Sequence, residues 1–143
     1  MRKYSWFLVA VLIVSLSTAL VAQNKPAIKQ VPPTRTNASS GSEMFRTYCA
    51  VCHGLDGKGK GPASPALKVQ ATDLTVMAKN NGGKFPELKV YNSIRGEVGV
   101  AAHGSKDMPI WGDVFRDLGR GDSSETNLRL RNLTKHIESL QAK

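Results

Sequence analysis

The chain holds only two cysteines, and both fall in the pentapeptide Cys49-Ala50-Val51-Cys52-His53. C-x-x-C-H is the spacing that attaches a haem covalently. On a helix, positions i, i+3 and i+4 share a face, so both thiols and the imidazole can project toward one flat object. The thiols suit thioether bonds to the vinyl groups of the macrocycle, and His53 suits the iron from one side. Two other chemistries use parts of this motif. A structural zinc site needs four ligands, which here would draw on His103, His136 or carboxylates at no recognisable spacing. A redox dithiol uses C-x-x-C but has no need of the histidine that follows.

The elements that must position these residues are helical. Ser42 is a candidate cap for a helix from Glu43 to His53, with Phe45, Cys49 and Cys52 along one side. Gly54, Gly57, Gly59, Gly61, Pro62 and Pro65 then impose a long loop that requires a scaffold, for which the haem is the candidate. A short helix is expected at Asp73–Lys79, ended by Asn80-Asn81-Gly82-Gly83. Another is expected from Pro86 to Arg95, with Leu88, Tyr91 and Ile94 on its buried face and Gly96 past its end. The clearest runs from about Ser123 to Gln141, with Asp122 and Glu125 as a capping pair. Its apolar stripe is Leu130, Leu133, Ile137 and Leu140, and Arg129, Arg131, Asn132, Lys135 and Glu138 are assigned to the opposite face. No segment alternates as a strand would, so the fold class is all-α.

Upstream of this domain the composition changes twice. Met1-Arg2-Lys3 is basic and Trp6–Ala22 is an apolar run broken only by Ser15, Ser17 and Thr18. This has the form of a secretory signal peptide over residues 1–22, with Ala19 and Ala22 as cleavage points; an uncleaved membrane anchor is the alternative. Residues 23–42 carry three prolines, no aromatic and no acid, and read as a linker. Residues 43–143 are then one folded domain.

Twenty Lys and Arg stand against eleven acids, a net charge of +9. Loss of residues 1–22 removes Arg2 and Lys3 and leaves +7, a surface suited to an acidic protein partner or an anionic membrane. The lysines are spread out and the chain is expected to be exported, which argues against nucleic acid. Gly57-Lys58-Gly59-Lys60-Gly61 lacks the spacing of a phosphate-binding loop. No paired carboxylates and no nucleophile with an adjacent base are present, so the reading is of a protein that is not an enzyme.

Taken together, the helix with its C-x-x-C-H, the run from His53-Gly54 to Gly61-Pro62 and the final amphipathic helix resemble the class I c-type cytochromes of the bacterial periplasm, over about Gly41 to Leu140. The resemblance implies one covalent haem c and a cytochrome c fold in which the first and last helices cross, here through Gly41 and Phe45 against Leu133–Leu140. It also implies that the carbonyl of Pro62 accepts a hydrogen bond from Nδ1 of His53. At His136 the family often has Tyr or Trp. Lys106-Asp107-Met108-Pro109-Ile110-Trp111-Gly112 is similar to the family's axial methionine segment, which makes Met108 the second iron ligand and His103 its competitor. Met44 and Met77 sit in helical patterns and are assigned to the core.

Leu67, Leu74, Arg95 and Trp111 are candidates for the haem pocket, with Tyr48 beside them, and Lys58, Lys60, Lys79, Lys84 and Lys106 for its rim. The expected function is single-electron transfer between periplasmic or membrane redox proteins, with His53 and Met108 filling both axial positions. Two other functions fit the same motif: a haem enzyme or ligand sensor with an open sixth position, and a tethered subunit of an oxidase or dehydrogenase complex.

Overall fold

The computed structural model describes residues 31–97 and 108–142. The apolar run of residues 1–22, the first part of the expected linker, His103 and Lys106 lie outside the described residues. Ser40, rather than Ser42, caps the first helix, α1 (Gly41–Met44), and its Oγ accepts the Glu43 N–H at 3.2 Å. A π-helical turn over Phe45–Cys49 joins α1 to α2 (Ala50–His53), and the Ala50 N–H reaches back to the Phe45 carbonyl. In a regular α-helix Phe45 and Cys49 would share one face. The wider turn offsets them. Phe45 turns to the last helix, where its ring lies 5.1 Å from that of His136, while Cys49 faces a cavity on another side.

Three longer helices follow: α3 (Glu87–Arg95), α4 (Trp111–Leu118) and α5 (Ser123–Ser139). Short 3-10 turns occur at Ser64–Ala66, Leu74–Val76 and Lys79–Asn81, and the last two replace the short helix expected over Asp73–Lys79. Among the described residues there is no strand, and the domain is all-α. In α3 the buried residues are Val90 and Ile94, one helical turn apart, while Leu88 is 72% exposed and does not belong to the packed face. Helix α4 was not anticipated from the sequence. Its Trp111, Val114, Phe115 and Leu118 recur at the i, i+3, i+4, i+7 spacing of an amphipathic helix, and Trp111 and Phe115 are buried.

Helix α5 is the centre of the packing and touches α1, α3 and α4. Its capping residue is Asp122, whose carboxylate accepts the N–H groups of Ser124 and Glu125. Leu130, Leu133 and Ile137 are buried as expected. The crossing with α1 depends on Gly41, because a Cβ there would sit 2.1 Å from the carbonyl oxygen of Asn132. Met44 is fully buried in the core, and Met77 packs against it.

Two further assignments from the sequence change. Arg129 does not face solvent; it is 1% exposed, and its guanidinium bonds Glu125, the Thr36 hydroxyl and the Thr36 carbonyl. A buried guanidinium is tolerated only when its donors are satisfied, and here Nε, Nη1 and Nη2 all find acceptors. The described part of the expected linker is likewise part of the fold. Thr36 is buried, Asn132 Nδ2 donates to the Ala38 carbonyl, and Arg35 pairs with Glu125 at 3.2 Å. The folded domain therefore begins before Gly41, as an extended strap laid against α5.

Candidate functional site

The C-terminal end of α2 carries the candidate residues, and the glycine loop finishes that end. A helix leaves its last four carbonyls without internal partners. Here Gly54 N–H bonds the Ala50 carbonyl, Ala63 the Val51 carbonyl, Gly61 the Cys52 carbonyl and Gly59 the His53 carbonyl, at 2.7–2.9 Å. Only glycine allows this approach. At Gly59 φ is +76° and a Cβ would lie 2.1 Å from the Ala71 carbonyl oxygen, and at Gly61 a Cβ would lie 2.4 Å from that of Ala50. The scaffold on which this first part of the loop lies is thus the helix end itself.

Beyond the loop, the chain turns back past α2 and closes a cavity of about 460 Å³. Cys49, Cys52 and His53 line it together, as do Met108 and Pro109 at the start of α4. The segments 31–34 and 67–72 supply other parts of the wall. Val31, Val51 and Val69 are large apolar side chains left 71%, 48% and 48% exposed, and all three line this cavity. Such a concentration of uncovered apolar surface in a concave site marks a place for a ligand.

His53 Nδ1 lies 3.0 Å from the carbonyl oxygen of Thr72. A carbonyl only accepts, so Nδ1 carries the proton and Nε2 keeps its lone pair. Burial pushes the His53 pKa down, against the smaller upward effect of that hydrogen bond, which holds the ring neutral at pH 7. Cys49 is buried, and burial, with the neighbouring Cys52 adding to it, pushes its thiol up to about 12. A dithiol oxidoreductase needs the opposite shift in its attacking cysteine. Among the described residues no three His, Cys, Asp or Glu side chains gather as a metal site.

Of the other expected pocket residues, Leu67 and Trp111 line the cavity, as does Tyr48. Tyr48 and Trp111 stack at 5.1 Å, and Phe115 backs both rings at 5.7 Å. Pro62 does not line the cavity, and the acceptor expected there is supplied by Thr72, because Pro62 follows Gly61 on the outer side of the loop. Leu74 does not line it either; its N–H is tied to the Gly57 carbonyl and its side chain joins the core. Arg95 is drawn away to Glu97, with which it pairs at 3.1 Å. Lys58, Lys60, Lys79 and Lys84 are exposed, and none lines the cavity. The wall at residues 31–34 and the Thr72 acceptor were not found from the sequence. Neither has a local signal, since each depends on where the chain returns to.

The family model for cytochrome c matches residues 38–109, just over half of the chain. The chain belongs to the cytochrome c family. No curated protein and no solved structure matches it. The cofactor of this cytochrome is accordingly haem c, an iron porphyrin attached covalently. The residues present fit such a group, with paired thiols and a neutral imidazole on one helix end, a thioether on a second segment, and an apolar lining. The coarse role that follows is electron transfer, which is what the family in general performs, and c-type cytochromes are typically exported proteins.

Proposed function

We propose that this cytochrome is a one-electron carrier in which Cys49 and Cys52 hold the haem and His53 and Met108 fill both axial positions of the iron. The observation that carries the reading is the convergence of these four residues on one cavity. Bound haem supplies the redox couple. The chain's own contribution is positional: the Thr72 carbonyl fixes the tautomer of His53, and Trp111, buried in the core, anchors the segment that bears Met108. Pro109 restricts the backbone of Met108 to an extended conformation, which limits rearrangement when the charge on the iron changes. With both axial positions filled, bound-substrate chemistry has no open coordination site, so the protein acts as a carrier rather than as an enzyme. The reduced protein is therefore expected to show no spectral change under carbon monoxide at neutral pH, and the oxidised protein only slow binding of cyanide. Rapid carbon monoxide binding would establish a haem enzyme or sensor instead.

Donor and acceptor are proposed to be redox proteins with acidic docking surfaces, in the periplasm or at the membrane facing it. The basic balance of the chain supports this, as does the basic start and apolar run of residues 1–22, read as a signal peptide or anchor. A shallow groove lined by Arg46, Leu55, Asp56 and Lys60 shares Val51 with the haem cavity, and Leu55 is 73% exposed there. Two cations against one carboxylate around an apolar centre leave a positive balance that suits an acidic partner. Charge reversal at Arg46 and Lys60 is expected to slow electron exchange with such a partner several-fold at low salt. Above roughly 0.1 M salt, where the screening length is about 10 Å or less, the difference should shrink. Stopped-flow rates that are independent of salt would show that recognition does not use these charges.

A further inference from the structure

The part of the cavity wall formed by residues 31–34 is tied at Thr34 by a directed chain of hydrogen bonds that starts at Arg129, outside the cavity. Arg129 Nη1 donates to the Thr36 hydroxyl at 3.1 Å, and Nη2 donates to the Thr36 carbonyl at 2.9 Å. Tyr48 Oη lies 2.9 Å from the Thr36 hydroxyl and donates its single proton to the Thr34 carbonyl at 2.5 Å. The Thr36 hydroxyl must therefore donate to Tyr48, and each hydroxyl accepts one bond and passes one on. Arg129 is held in turn by Glu125, which also pairs Arg35 of the strap. At the far end, Tyr48 lines the cavity and stacks on Trp111. Pro32 and Pro33 make the wall itself stiff and remove two N–H groups from it.

We propose that residues 31–34 form a fixed wall over the haem, and that Arg129, which does not touch the cavity, is a positioning residue that limits solvent access to the haem through Thr36 and Tyr48. This rests on the reading of the cavity as the haem crevice. Solvent access bears on function because water stabilises the more highly charged oxidised haem and so lowers its reduction potential. A strap that lifts makes the cytochrome a stronger reductant and opens it to exogenous ligands.

The test uses the full-length haem-loaded protein and Thr36→Val, which keeps the shape of Thr36 and interrupts the hydrogen-bond chain at its middle. The bond after Arg35 is a trypsin site that requires the strap to leave α5, because Thr36 is buried. Loss of a buried hydrogen bond of this kind is expected to raise the rate of that cut by about tenfold. Imidazole binding to the oxidised haem should accelerate by a similar factor, and the reduction potential should fall. Thr36→Ser, which restores the hydroxyl, should return all three toward the parent. Arg129→Lys keeps the charge but loses the forked geometry, and should behave as Thr36→Val does. Faster cutting with unchanged imidazole binding and potential would reduce the strap to a structural tether. Unchanged cutting in either Thr36→Val or Arg129→Lys would remove that residue from the clamp. Failure of the haem reading itself is separate, since it would appear in the parent protein as absent or extractable haem.

Discussion

Alanine at both Cys49 and Cys52 is expected to take the covalently bound haem from one per chain to none. Haem should stay with the parent polypeptide through denaturation and acidic organic extraction, and should be lost entirely from the double variant. The expectation follows from the lining of the cavity, where both thiols lie beside His53, and from the small number of sulfur atoms that can form the bonds. Each single variant should retain haem through the remaining thioether, with lower yield. Haem that extracts fully from the parent would overturn the attachment chemistry and leave a non-covalent haem protein. The assay needs no partner and no potential, so it decides the attachment independently of electron transfer.

Met108→Ala is expected to lower the reduction potential by on the order of 0.1 V or more, a fraction of the roughly 0.8 V over which axial ligands move haem potentials. The sulfur-to-iron charge-transfer band of the oxidised protein should disappear with it. Thioether sulfur favours the reduced iron relative to a nitrogen or oxygen donor, which sets the direction. Met108 is half-buried against the core and lines the cavity that His53 also lines. His103→Ala should leave both the potential and the band close to those of the parent. The opposite result, a band unaffected by Met108→Ala and a potential altered by His103→Ala, would establish a pair of histidine ligands.

The residues that meet at the cavity were legible because their signal is local. Cys49, Cys52 and His53 are fixed by spacing alone, and Leu130, Leu133 and Ile137 by helical period. What escaped depends on contacts between distant parts of the chain. Periodicity assigns a charged residue to solvent, and Arg129 lies inside because Thr36, 93 positions earlier, supplies its acceptors. The composition of residues 31–40 is that of a linker; Asn37 organises a local turn through Ser39 and Ser40, and the bonds that lay the segment on the domain come from Arg129, Tyr48 and Asn132. Thr72 takes the role expected of Pro62 because the path of a glycine-rich loop is set by which carbonyls it must satisfy. Helix α4 is a different case. Its apolar spacing is plain in the sequence, but the likeness of Lys106–Gly112 to a ligand segment draws attention to Met108 and away from the period of Trp111 to Leu118.

The loop that closes α2 also fixes how many residues may lie between His53 and the far wall of the crevice. Gly59, Gly61 and Ala63 bond His53, Cys52 and Val51 in turn, so the loop advances two residues for each one that the helix retreats. The residues that alternate with them, Lys58 before Gly59 and Lys60 and Pro62 between the three, are exposed to water. Most surface loops absorb an added residue at small cost. One residue inserted after His53 would here exchange the two sets, placing lysine side chains where a Cβ already meets a carbonyl oxygen and a proline where Val51 requires an N–H. At the turn over Asn80–Gly83 the constraint is of another kind: φ is +66° at Gly82 and +86° at Gly83, while a Cβ at either would meet nothing within 4 Å. Within this small domain one glycine pair is required by backbone conformation and the other run by close approach to carbonyls, a difference that composition alone does not distinguish.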